Sequence, residues 1–107
     1  MQTLEESFQQ VLLDSYQELA TLGYQAKDVL QMVQEIGAVY AARKLVKRAR
    51  YREDFMRLWE LGRLELSVEA LVLRPEYRTL FNSDERKHAR QRLADMGYRA
   101  PWDYEFA

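Results

Sequence analysis

A chain of 107 residues is long enough to bury one core and too short for two. Its composition, 48% hydrophobic and 31% charged, is that of a soluble folded domain and excludes a disordered chain. The lack of cysteine excludes a disulfide framework and thiolate metal sites, and no apolar run approaches the ~18 residues that a membrane span needs.

The first helix is expected over residues 3–22. Thr3 with Glu6 fits a capping box, and Leu4, Phe8, Val11, Leu12, Leu19 and Leu22 fall on one face. Residues 1–22 are too acidic and too amphipathic for a signal peptide, so a cytoplasmic location is expected. Gly23, Gly37, Gly62 and Gly97 each follow a large apolar residue, as a glycine helix stop requires. Two of these stops echo each other, LATLGYQA and LADMGYRA, with Tyr24 and Tyr98 placed to fold back on the helix end. A second helix over 25–36 buries Val29, Leu30, Val33 and Ile36.

The third helix starts at Gly37 or Ala38, with an apolar arc of Ala38, Val39, Ala42, Leu45, Val46 and Ala49. At 100° per residue, Arg43, Lys44, Lys47, Arg48 and Arg50 fall on the opposite side, with Tyr40 among them. A break is expected near Tyr51, with Asp54 capping a new start at Phe55. Residues 55–81 hold the densest core material, including Phe55, Leu58 and Trp59. After Gly62 an extended link, Leu64-Glu65-Leu66, leads to a short helix capped by Ser67. There Leu66 and Leu71 form a hydrophobic staple, and Glu69 suits the helix dipole. Pro75 opens a further turn carrying Tyr77, Leu80 and Phe81. Asn82 or Ser83 caps a last helix that runs to Met96, with Ala89, Leu93 and Met96 inward. Residues 1–7 and 99–107 are peripheral, and Trp102, Tyr104 and Phe106 are expected to dock the tail. The fold predicted is all-α, a compact orthogonal bundle of five or six short helices.

Three segments together resemble a small bacterial helical domain that occurs as stand-alone chains with no established activity. They are GYQAKDVLQMVQEIGAVYAARKLV, FMRLWELGRLELSVEALVLRPEYRTLF and ARQRLADMGY. The likeness covers residues 8–98 and is most specific over 58–81. It implies a compact helical domain and brings no cofactor or catalytic residue. The chain departs from that pattern at Ala38, where the family tends to have glycine. It departs again at the basic run KRARYRED, which replaces a Pro/Ser-containing loop.

No phosphate-binding glycine loop, nucleophile elbow or metal signature is present, so the expectation is a binding module with no catalytic, cofactor or metal site. His88 has no second histidine or cysteine at ligand spacing. The paired carboxylates Glu5/Glu6, Glu53/Asp54 and Asp84/Glu85 lie at predicted helix starts, where they read as exposed capping charges. Net charge is −1, but residues 1–36 carry six acidic residues against Lys27, and residues 37–52 carry six basic residues and no acidic one. Arg43, Lys44, Lys47, Arg48, Arg50 and Arg52, with Tyr40 to stack, are therefore the candidate binding residues for nucleic acid or for an acidic protein surface. A structural reading stands beside these, in which Glu5, Asp14 and Glu18 of the first helix neutralise the basic face. A protein-interaction module, such as an adaptor or a phage-type inhibitor of a host defence complex, is the alternative. Homodimerisation would use Leu13, Met32 and Met56.

Overall fold

The helix boundaries are written in short local devices. A computed structural model describes residues 1–104, which form α1 (Leu4–Thr21), α2 (Lys27–Ile36), α3 (Ala38–Leu45), α4 (Glu53–Glu60), α5 (Val68–Val72) and α6 (Ser83–Asp95). Two 3₁₀ segments, Leu64–Leu66 and Pro75–Leu80, link them, and no strand occurs among the described residues. The fold is all-α. Both long outer helices open on reciprocal capping boxes. In α1, Thr3 Oγ1 accepts from the Glu6 amide while the Glu6 carboxylate accepts from the Thr3 amide. In α6, Asn82 and Glu85 make the same exchange at 2.8 and 2.9 Å. Ser67 Oγ caps α5 and also donates to the Leu64 carbonyl, closing the 3₁₀ turn that stands where an extended link was expected. Asn82→Ala should lower stability by about 1 kcal/mol, read as the shift of a denaturant midpoint.

The two echoed stops are the same structure. The Tyr24 amide bonds the Leu19 carbonyl and the Gly23 amide the Ala20 carbonyl; Tyr98 and Gly97 repeat this on Leu93 and Ala94. Both are Schellman turns, and both tyrosines pack partly buried against the core. Gly37 does something different. At φ 85° and ψ 158° it swings the chain from the end of α2 straight into α3, a conformation open to glycine and strained for other residues.

The core is centred on residues 64–73, where the 3₁₀ turn and α5 are buried at every position except the half-buried Glu65. Helix α5 packs on α6, α3 and α1, and α3 also packs on α1 and α2. Phe8 closes one end, meeting Tyr77 and Phe81 edge-to-face at 5.2 and 5.0 Å. Trp59 does not join this core and is 46% exposed. The inward stripe of α4 is Asp54, Phe55 and Leu58, which leaves Trp59 at the helix edge. The apolar back of α3 packs on α1, α2 and α5. Leu4, Leu22 and Ile36, placed on apolar faces by periodicity, end up exposed at helix termini. In the tail, Trp102 Nε1 donates to the Ala70 carbonyl at 2.7 Å, and Asp103 pairs with Arg90. Tyr104 is exposed, and Phe106 lies outside the described residues.

Candidate binding surface

Tyr40 and Lys44 lie four residues apart on the outer side of α3, and Lys47 follows in the turn just beyond its end. The helix stops at Leu45, earlier than the apolar arc suggested; Val46 is the last buried residue and Ala49 is exposed. Residues 46–52 form a loop along α6. Carbonyls at this helix end and in the loop are taken by two arginine side chains, one from the loop's own last residue and one from α6. Arg52 Nη1 donates to the Leu45 carbonyl at 2.9 Å, while Arg92 donates to the carbonyls of Arg48 and Arg50.

Arg52 therefore does not belong with the exposed cations. It is buried, chelating Glu69 through Nη1 and Nη2 at 2.7 and 2.8 Å and reaching Asp54 through Nε at 2.9 Å. Tyr16 completes the network by donating to Asp54 Oδ2 at 2.6 Å, and Arg92 stands 3.8 Å from Glu69. Asp54 and Glu85, read from the sequence as exposed first-turn carboxylates, are both buried. A guanidinium out of water is tolerated only with this many partners. The carboxylates hold the Arg52 pKa well above its usual value against the opposing cost of burial. Burial, and then the Asp54 charge, push the Tyr16 phenol well above its usual 10.0. A phenol held neutral by the fold contributes stability that is complete below the unfolded pKa and falls as pH rises beyond about 10. Tyr24, Tyr51 and Tyr98 are raised too and act in the same direction. Denaturant titrations should show stability constant from pH 8 to 9.5 and declining above ~10, by up to about 1.4 kcal/mol per pH unit for one coupled proton. Tyr16→Phe should make that decline shallower, leaving the part due to the other three tyrosines.

The remaining cations divide. Arg43 donates to the Leu80 carbonyl at 2.7 Å, and its Nε and the Lys47 Nζ lie 3.8 and 3.5 Å from the buried Glu85. Lys44, Arg48 and Arg50 are exposed and have no carboxylate partner among the described residues. The carboxylates of α1 do not neutralise them: Glu18 pairs with Arg63, and Asp14 accepts from Gln10. Five cations thus share one close carboxylate, Glu85. Tyr40 is 61% exposed beside them, with the Arg43 guanidinium 5.1 Å from its ring centroid.

No family model matches the chain, and neither does a curated protein or a solved structure. Among the described residues no three His, Cys, Asp or Glu side chains gather as a metal-holding group, and no helix is long and apolar enough to cross a membrane. His88 lies on the surface, 3.5 Å from Asp84. In the cleft of about 200 Å³ beside Arg52 and Asp54, these two side chains are already bonded to each other. Leu13 is exposed over two clefts that neither Met32 nor Met56 lines, and both methionines pack partly buried on the core.

Sequence reasoning missed the network of Tyr16, Asp54, Glu69 and Arg92. Two signals for it were present. Glu69 is the one charge inside SVEALVL, where a carboxylate needs a buried partner, and Arg92 sits between Ala89, Leu93 and Met96 on the inward face of α6.

Proposed function

We propose that this chain is a non-enzymatic nucleic-acid-binding module that holds a phosphate backbone along Lys44, Lys47, Arg48 and Arg50. The observation that carries the reading is the pairing pattern. Lys44, Arg48 and Arg50 lack carboxylate partners on a backbone pinned by Arg52 and Arg92. A cationic segment held in one conformation loses less entropy on binding than a mobile tail of equal charge. Exposed cations without partners add counterion release to their attraction for a polyanion.

Fluorescence anisotropy of a labelled mixed-sequence oligonucleotide, titrated at salt concentrations between about 50 and 200 mM, tests the reading. With four phosphate contacts, the logarithm of the association constant should fall with the logarithm of salt at a slope of roughly −3 to −4. A flat response, or no binding at the lowest salt, contradicts it. Tighter binding to an acidic polypeptide than to any oligonucleotide reassigns the surface to an acidic protein partner.

A further inference from the structure

Tyr40, one turn before Lys44 on α3, lines a cleft of about 540 Å³ between α1 and α3 that Thr79 and Leu80 also border. That is within the ~300–1,000 Å³ of clefts that enclose small organic groups. The cleft shares Gln9, Leu13 and Gly37 with a neighbour of about 550 Å³, so the two run into one another along α1. Its two walls differ in charge. On the α3 side stand Tyr40 and Arg43, with the cations of the loop beyond them. On the α1 side stand Glu5 and Glu6, with the amides of Gln9 and Gln10.

The amides offer complementary groups. Gln9 Oε1 accepts from the Ala38 amide, which leaves its NH₂ as a donor. Gln10 Nε2 donates to Asp14, which leaves its carbonyl as an acceptor. A donor and an acceptor one residue apart suit the edge of a base, and Glu5 adds an acceptor for an exocyclic amine. The Tyr40 ring is backed by Arg43 at 5.1 Å, and its 61% exposure leaves the other face to solvent. A flat aromatic presented in this way is a stacking platform.

We infer that the ligand is single-stranded nucleic acid, its phosphates on the Lys44–Arg50 side and its bases turned into the α1/α3 cleft with one stacked on Tyr40. This rests on the nucleic-acid reading above and extends it. The charge layout favours a single strand over a duplex. A single strand has a phosphate edge and a base edge, matching one cationic wall and one amide-and-carboxylate wall. A duplex presents phosphates on both sides of either groove and would bring one row against Glu5 and Glu6. Unstacked bases can also reach aromatic and amide side chains that a paired base cannot.

Anisotropy titrations with a labelled single strand and with its duplex, at equal length and salt, decide the matter. The single strand should bind at least tenfold more tightly. Tyr40→Ala should weaken single-strand binding by about 5- to 150-fold, the range for one base–aromatic stack, and erase the preference over duplex. Tyr40→Phe should retain both. Circular dichroism reports whether each variant stays folded, which the exposure of Tyr40 favours. Equal affinity for the two forms, or full single-strand affinity in folded Tyr40→Ala, overturns the inference. If the Lys44, Arg48 and Arg50 dependence survives in that case, the nucleic-acid reading stands without it. Failure of both forms to bind overturns both.

Discussion

Arg52→Met is expected to lower the unfolding free energy by about 3–5 kcal/mol, the usual cost of breaking a buried ion pair from one side. The change strips Glu69 of two hydrogen bonds and Asp54 of its guanidinium, leaving two buried carboxylates with one phenol and the more distant Arg92. It also leaves the Leu45 carbonyl at the end of α3 with only the Arg48 amide, at 3.3 Å. A second variant separates loss of a partner from loss of packing. Replacing Arg52, Asp54 and Glu69 together by Met, Leu and Leu should recover much of the deficit, because the desolvation cost of the charges disappears with them. Urea titrations of the single and triple variants give both numbers. A loss below about 1 kcal/mol for Arg52→Met would mean that water reaches the network and screens it.

Reversing the exposed cations, Lys44→Glu with Arg48→Glu and Arg50→Glu, is expected to weaken oligonucleotide binding by at least a hundredfold at about 0.1 M salt. Each phosphate contact contributes a slope of about 0.7 to 0.9, so losing three should flatten the salt dependence by roughly 2 to 3. Stability should change little, since these side chains are exposed and bear no internal ion pair. Two basic residues two positions apart, Arg50 and Arg52, are expected to fail in opposite assays, one in binding and the other in folding. Arg57→Glu, on α4 where it pairs with Glu60, serves as a control for each of the three reversals made singly and should leave binding near that of the parent chain.

Where the deciding interaction is short in sequence, the residues announce it. Thr3, Ser67 and Asn82 cap within three positions, and the glycine stops at Gly23 and Gly97 close within five. The all-α class follows from the same kind of signal, but the break in the basic segment does not: Asp54, expected to cap a start at Phe55, is held by Tyr16 and Arg52, and α4 begins at Glu53 with no side-chain cap. Arg52 is the opposite case. Among six cations in one run nothing local marks it, and its fate is set by Glu69, 17 residues away, and by an α6 that lays Arg92 over the loop. Trp59 misleads for a related reason. Size and apolarity place it in a core, but the inward stripe of α4 is completed by Asp54, which the same distant network draws in. The cationic surface was legible as composition. Which of its members remain available was not, because Glu85 reaches Arg43 and Lys47 from another helix while the acidic α1 spends its carboxylates elsewhere.

Backbone amide chemical-shift mapping during titration with a single-stranded oligonucleotide addresses the location of binding without any substitution. The largest perturbations should fall at residues 40–51, with a second group at Gln9 and Gln10 on α1, and all should collapse when salt is raised. Perturbations centred on another face, with residues 44–50 unmoved, would contradict the assignment of this loop as the binding surface.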